Sequence, residues 1–352
     1  MTQSSLKSGL RRLPAEWEKH QETLLSFPYE GRDWPGKYTV VVWAFVEIIR
    51  KIAAYEPVHL VVRSEAQQEK VTDMLERAHC NLANLRFLIQ DTNRNWMRDS
   101  GPIIVKGPKG RREALHFQFN GWAKYANHRK DRQIPIAVAR DLGIPLTKAI
   151  YEGRWVVLEG GAIDVNGQGT LFTTEECLMD SRMQVRNPGF TKDDYEKVFR
   201  EYFGVTNTIW LGKGIEGDDT HGHVDDICRF VSRDTVVACR EGNRKDINSK
   251  HLAENLERLQ GARLEDGRPV QVVTIPMPER LDFEDLRLPA NYVNFIMTSG
   301  AALVPTFNDK NDYKALGIFS ELFPDRDVIG IAAVDLIWGL GTLHCLSREI
   351  PA

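Results

Sequence analysis

Ile163-Asp164-Val165-Asn166-Gly167-Gln168-Gly169-Thr170-Leu171-Phe172-Thr173 is the stretch from which the fold is read. Two β-rich runs flank an Asn-Gly pair, and Asn and Gly tolerate the positive φ angles of a tight reversal, so the stretch is predicted to be a β-hairpin. The same pattern recurs downstream. Residues 227–239 turn across Ser232-Arg233-Asp234, and residues 292–307 turn across Ser299-Gly300. Around the hairpins lie segments of helical periodicity at 38–55, 64–79, 131–142, 191–203, 246–260 and 309–323, the second opening on Ser64 as a cap. If each hairpin is grouped with the helix and strand beside it, about five units of roughly 70 residues fill the chain. The expected fold class is α/β, a ring of repeated ββαβ blades. No Pro/Ser/Gly-rich linker, charge block or low-complexity tract interrupts the alternation, so residues 1–352 are expected to form a single domain.

Composition narrows the functional classes. With 46 Lys+Arg against 49 Asp+Glu and a net charge of -3, the chain lacks the cationic excess used to grip nucleic acid or an anionic membrane. The N-terminal stretch has no apolar run of signal-peptide length, and no run of about 18 apolar residues occurs further on, so a cytoplasmic location is expected. The five cysteines are scattered, with no Cys-x-x-Cys pair. They are expected to be reduced, with Cys177, Cys228 and Cys239 acting as small buried hydrophobes in strand-like context.

Four segments carry candidate chemistry. Asn95-Trp96-Met97-Arg98-Asp99-Ser100-Gly101-Pro102 places an aromatic, a cation and a carboxylate ahead of an apolar run; by itself it reads equally as a surface Arg98–Asp99 pair. Glu159-Gly160-Gly161 sets a carboxylate before two glycines, which permit close approach of backbone or ligand. Residues 217–226, Gly-Asp-Asp-Thr-His-Gly-His-Val-Asp-Asp, hold the densest titratable cluster. If extended, they would point His221, His223 and Asp225 to one face, which suits either an acid/base His223 beside Asp225 or a divalent metal site. Last, Trp338-Gly339-Leu340-Gly341-Thr342-Leu343-His344-Cys345 presents a thiol after glycines in a β-like run, where His344 would face away from its neighbour. A thiol attacks as thiolate, which needs nearby positive charge, and a bound guanidinium would supply it.

Taken in order, these segments resemble the agmatine deiminase and bacterial peptidyl-arginine deiminase family of guanidino-group modifying enzymes, over nearly the whole chain. The resemblance rests on Leu13-Pro14-Ala15-Glu16-Trp17-Glu18 with Phe27-Pro28 and Asp33-Trp34, on Trp96 to Pro102, on Glu159-Gly160-Gly161, on Thr174-Glu175-Glu176-Cys177 through Arg186-Asn187-Pro188, on Gly217 to Asp225, and on Gly341 to Cys345. It implies a pentein-like five-bladed α/β propeller with its site in the central channel. It also implies roles: Cys345 as nucleophile, His223 as acid/base, and Asp99 and Asp225 as the carboxylates that grip the guanidinium. Glu159 and Asp218 would sit near the site, and Trp96 and Trp122 would wall the pocket. Two features depart from the family: His221, where many agmatine-specific members carry Asp or Asn, and Leu340 with Thr342, where they carry Gly and Asn.

The expected reaction is hydrolytic deimination through a Cys-thiouronium, agmatine giving N-carbamoylputrescine and ammonia, with no metal or organic cofactor. Two carboxylates can accept the forked N–H groups of a planar guanidinium and fix its carbon against sulfur. Free arginine would need a cationic clamp for its carboxylate, which the sequence does not locate; a peptidyl or modified arginine is the alternative substrate. Readings of another class are a metallohydrolase built on His221, His223 and Asp225, and a non-catalytic propeller scaffold. The expected partner is a small guanidinium, and a homodimer is the prior for assembly.

Overall fold

A computed structural model describes residues 11–29 and 31–352; the reading of the N-terminal segment as lacking a leader falls partly on residues 1–10, outside the described ones. The elements run β1 (His20–Ser26), α1 (Tyr38–Ala53), β2 (Val58–Val62), α2 (Glu65–Arg77), β3 (Leu85–Ile89), a one-turn α3 (Met97–Ser100), then β4 (Ile103–Lys106), β5 (Arg112–His116), α4 (Ile134–Asp141) and β6 (Leu146–Lys148). A small hairpin, β7 (Ile150–Tyr151) and β8 (Arg154–Trp155), precedes β9 (Asp164–Val165), β10 (Thr170–Thr174), α5 (Glu175–Met179), α6 (Lys192–Phe203) and β11 (Asn207–Leu211). Next come β12 (Cys228–Phe230), β13 (Thr235–Arg240), α7 (Ile247–Gly261) and β14 (Gln271–Pro276), and a second small hairpin of β15 (Asp282–Phe283) and β16 (Leu286–Arg287). The chain ends with β17 (Ile296–Met297), β18 (Ala301–Thr306), α8 (Asp312–Leu322), β19 (Asp327–Ala332), a one-turn α9 (Leu343–Leu346) and β20 (Ser347–Pro351).

Four sheets share one plan, an antiparallel pair followed by a parallel strand reached through a helix: β4-β5-β6, β9-β10-β11, β12-β13-β14 and β17-β18-β19. A parallel neighbour cannot be reached by a tight turn, and the helix makes the crossover. The fifth sheet, β20-β1-β2-β3, follows the same plan with its first strand taken from the far end of the chain: β20 is antiparallel to β1, and β1 is parallel to β2. This pairing closes the five-bladed α/β propeller, and the three anticipated hairpins lie in blades three, four and five in chain order from the closing sheet.

Local sequence explains the helices. In α1 the buried Val41, Phe45, Ile48, Ile49 and Ile52 recur at three- and four-residue spacing, one face of a helix. Ser64 caps α2, accepting a bond from the Gln67 N–H at 3.2 Å, and Thr191 with Asp194 forms a capping box on α6. Helix α6 stops at Gly204 with φ 71°, where a side chain would also strike the Arg11 carbonyl. Blades are welded by aromatic contact across the ring: Phe172 of β10 stacks on Phe230 of β12 with centroids 4.4 Å apart. Burying one such ring contributes about 1.5–3 kcal/mol. Among the described residues, no helix is long and apolar enough to cross a membrane.

The repeated plan places the polar motifs. In every blade the segment just ahead of the first strand carries buried polar side chains: Asp99 before β4, Glu159 before β9, His223, Asp225 and Asp226 before β12, Asn291 and Asn294 before β17, and Cys345 before β20.

Candidate active site

Three of the five segments, those carrying Asp99, Glu159 and His223 with Asp225, meet at Gly161. A Cβ built on that glycine would lie 2.5 Å from His223 Nδ1 and 3.0 Å from both Asp225 Oδ2 and Asp99 Oδ1, so only a bare Cα fits between the three side chains. Asp99 is held in its one-turn helix by two donors, Trp122 Nε1–H to Oδ2 at 2.8 Å and Gly161 N–H to Oδ1 at 3.0 Å. Burial raises its carboxyl above the ordinary range, although those two bonds and the charges of Arg98 and Arg186 oppose the rise. Asp225 is fully buried; burial and the neighbouring Asp226 and Asp99 push its carboxyl well up.

His223 has no exposed surface, and its Nδ1 lies 3.8 Å from Asp99 Oδ1 and 3.9 Å from Asp225 Oδ1. Neither ring nitrogen has a hydrogen-bond partner. Burial pushes its pKa down to about 4, so the imidazole is neutral and has a free lone pair at neutral pH. Cys345 is set by Asn294, whose Nδ2–H reaches Sγ at 3.1 Å while its Oδ1 accepts from the Thr342 hydroxyl and from the His344 and Cys345 N–H groups. Burial and the charges of Asp225, Asp226 and Asp99 raise the thiol well above its ordinary value, with only the Asn294 bond acting the other way. The thiol is therefore held protonated.

A cavity of 490 Å³ opens onto this cluster. Trp96, Trp122, Asp99 and Cys345 are in its wall, whereas His223, Asp225, Glu159 and Asp218 lie behind it. Glu159 is buried against Arg186, Nε to Oε1 3.1 Å, and its Oε2 has no partner; Glu159, Cys177 and His223 bring one ligand atom each within 4.8 Å of the others. Asp218 spans its own loop, accepting from the N–H groups of Thr220, Gly222 and His223. Trp96 Nε1–H is fixed by Asp33 at 3.1 Å.

Several expectations are corrected. Residues 221–226 are not extended: His221 has φ 66°, and Val224–Asp226 form a 3-10 turn. His221 therefore leaves the shared face and meets Asp180, Nε2 to Oδ2 2.9 Å, so the His221/His223/Asp225 metal triad does not assemble. Among the described residues, the groups whose spacing would suit an ion are Glu159, Cys177 and His223, or Asp225, Asp226 and Cys345. His344 and Cys345 lie on a helical turn rather than a strand, and His344 Nδ1 sits 2.6 Å from Asp225 Oδ2. Arg98 and Asp99 are no surface pair; both are buried, and Arg98 Nη1 bonds Glu349 at 2.7 Å. Cys177 lies in a helix, next to His223 and Glu159, rather than in a strand.

Sequence reasoning missed Asn294, Asn291 and Asp226. Asp226 Oδ1 accepts from both asparagines, at 2.8 and 3.1 Å, and this buried network orients the thiol. The pattern that would have found them is positional, because each blade delivers polar residues just ahead of its first strand. The cationic wall absent from the sequence reading is also present: Arg32 and Arg94 line the cavity, Arg94 paired with Asp33 and lying over the Tyr125 ring at 4.1 Å.

The profile of the Porphyromonas-type peptidyl-arginine deiminase family matches residues 12–351. An agmatine deiminase of Pseudomonas aeruginosa (strain LESB58) is 32% identical over 364 residues, 97% of this chain and 95% of the relative. Among solved structures, the agmatine deiminase of Enterococcus faecalis superposes with a TM-score of 0.89 at 25% identity, covering 100% of this chain and 99% of the other. A C. jejuni agmatine deiminase with substrate bound superposes with a TM-score of 0.85 at 27% identity, covering 97% and 96%.

Proposed function

The chain belongs to the Porphyromonas-type peptidyl-arginine deiminase family, and on that premise we propose that it is a cytoplasmic single-domain hydrolase that converts agmatine and water to N-carbamoylputrescine and ammonia. The observation that carries the reading is the buried cluster itself: a thiol among three carboxyls, Asp99, Asp225 and Asp226, beside a neutral imidazole with both nitrogens free. Such a cluster is electrostatically incomplete without a cation. A guanidinium entering past Trp96 and Trp122 supplies the missing charge, and Asp99 and Asp225 accept its N–H groups.

The same cation reverses the field on Cys345. Its proton passes to His223, and sulfur attacks the guanidinium carbon to give a tetrahedral adduct. His223 returns the proton to the departing nitrogen, the C–N bond breaks, and ammonia leaves an S-alkylthiouronium on Cys345. The imidazole then takes a proton from water as its oxygen attacks the same carbon, the C–S bond breaks, and the ureido product departs with the thiol restored. Glu159 stands behind His223, where its charge favours the imidazolium formed in each step.

A second reading, an arginine-derived substrate bearing a carboxylate, is favoured by Arg32 and Arg94 in the wall. The test is ureido-product and ammonia release from agmatine, free arginine and a blocked arginyl peptide, wild type against Cys345→Ala. Turnover of agmatine alone with a dead variant supports the first reading; turnover of free arginine moves it to the second, turnover of the blocked peptide to a peptidyl-arginine deiminase, and no turnover of any of the three overturns them all.

A further inference from the structure

His344 takes no part in the chemistry above, yet it is buried with both ring nitrogens engaged by carboxylates. Nδ1 lies 2.6 Å from Asp225 Oδ2, and Nε2 lies 2.9 Å from Glu16 Oε2. A neutral imidazole carries a single N–H, so it can donate to only one of them. The other contact needs a proton on the carboxyl, or else the ring is an imidazolium.

Glu16 is the anionic end. Burial works to raise its carboxyl, but Arg229, His344 and Arg98 together hold it well below the usual range. Arg229 donates to Glu16 directly, and Arg98 Nη2 lies 3.7 Å from its Oε1. Nε2–H therefore points to Glu16, and one proton remains for the short 2.6 Å contact between Asp225 Oδ2 and His344 Nδ1. The charged groups on the two sides differ. Asp225 faces Asp226, Asp99 and the Cys345 thiol, while His344 faces Glu16, Arg98 and Arg229, with Arg348 and Glu349 beyond them. The two ends also look into separate spaces: Cys345 lines the 490 Å³ cavity, and His344 lines a distinct 30 Å³ hollow with Glu16 and Arg98.

We propose that Asp225 and His344 share one proton that stays within the pair through the catalytic cycle, resting on Asp225 while the cavity holds no cation and crossing to His344 when a guanidinium arrives. The proposal rests on the deiminase reading given above. In the crossing the O–H bond of Asp225 breaks and an N–H bond forms at His344 Nδ1, so Asp225 becomes the ionised acceptor that the substrate requires, and no proton is exchanged with solvent. Release of the uncharged ureido group returns the proton. The cation supplies the bias: a unit charge about 4 Å from a carboxyl, at an effective dielectric near 20, favours its ionised form on the order of a thousandfold. His344 is a positioning residue, acting on the substrate only through Asp225.

The test uses Cys345→Ser protein labelled with 15N at histidine, titrated with agmatine, free arginine and a blocked arginyl peptide. Binding is expected to move both His344 nitrogens to imidazolium shifts, the resonances being assigned by their loss in the Cys345→Ser/His344→Gln double variant. Calorimetry at pH 7 in buffers of different ionisation enthalpy is expected to show about one more proton released by the double variant than by Cys345→Ser, because its Asp225 must shed the proton to solvent. In the active background, His344→Gln is expected to raise KM increasingly as pH falls while kcat changes less than threefold. A guanidine that binds while His344 keeps neutral-imidazole shifts overturns the proposal and leaves the deiminase reading standing. Failure of every guanidine to bind overturns both. The shift measurement keeps His344 in place, so it does not depend on the folding of any His344 variant.

Discussion

Gly161→Ala adds a single methyl group at the point where the His223, Asp225 and Asp99 side chains meet. Its Cβ would lie 2.5 Å from His223 Nδ1 and 3.0 Å from Asp225 Oδ2 and Asp99 Oδ1, whereas ordinary contact begins near 3.4 Å. The imidazole must therefore retreat by about 1 Å and each carboxylate by a few tenths, and a misplacement of about 1 Å costs on the order of a hundredfold in rate. Gly161 has no left-handed backbone, so alanine is conformationally permitted and restricts the unfolded chain, which stabilises by about 0.4–1 kcal/mol. Overpacking opposes this with about 1–3 kcal/mol. The net is a modest loss, a fall in Tm of a few degrees, against a fall in kcat/KM of roughly a hundredfold. Ureido-product release and a thermal melt on the same preparation measure both. A variant that keeps its activity within threefold of wild type would refute the claim that the three side chains are held around this glycine for catalysis.

Three further outcomes follow from the same geometry. Because burial and three carboxyls hold the Cys345 thiol protonated, neutral iodoacetamide at pH 7 is expected to alkylate it at least about tenfold more slowly than it does a free cysteine, as followed by intact mass; rapid labelling would contradict the substrate-supplied charge. Asn294→Asp keeps the acceptor for the His344 and Cys345 N–H groups but removes the Nδ2 donor to sulfur and adds an anion, so kcat/KM should fall more than about tenfold and its optimum should move to higher pH. Since folding depresses the His223 pKa to about 4, its contribution to stability is complete above about pH 6.5 and is lost as pH falls toward 4, a cost of up to about 3 kcal/mol at low pH. Denaturant melts from pH 7 to 4 should show His223→Asn losing less stability than the wild type by about this amount.

The fold was legible because its signals are local. The hairpins at Asn166-Gly167 and Ser299-Gly300, the Ser64 cap and the apolar spacing of α1 each need only a few neighbouring residues to be decided. The pairing of β20 with β1 joins residues more than 300 positions apart and leaves no local trace, so a ring was expected from the count of repeated units and from the resemblance, but the strands that close it were not read. At the site, Asp99, His223, Asp225 and Cys345 stood out as reactive side chains in unusual loops. Asn294 and Asp226 did not, because their value lies in partners that the sequence does not name. The misreadings were of backbone: His221 at φ 66° and the helical turn at Cys345 both break the strand alternation from which side-chain directions were inferred.

Why the acidic cluster survives burial is answered by where the positive charge lies. Arg98, Arg186, Arg229 and Arg348 are all buried around the channel, but each is occupied: Arg98 with Glu349 and the His344 carbonyl, Arg186 with Glu159, Arg229 with Glu16 and Asp164, and Arg348 beside Glu349. The guanidiniums thus neutralise the outer ring of carboxylates, and the inner ring of Asp99, Asp225 and Asp226 is left to raised pKa values and neutral donors. Replacing an inner carboxyl by its amide would relieve that repulsion and remove the guanidinium acceptor in the same step. Activity and stability should therefore move in opposite directions on Asp225→Asn, whose amide can still bond His344 Nδ1 and leaves no donor facing another, kcat/KM falling by orders of magnitude while the melting temperature holds or rises. A fall in both together would mean that the inner carboxyls are structural, and that the charge deficit at the centre of the ring does not select the substrate.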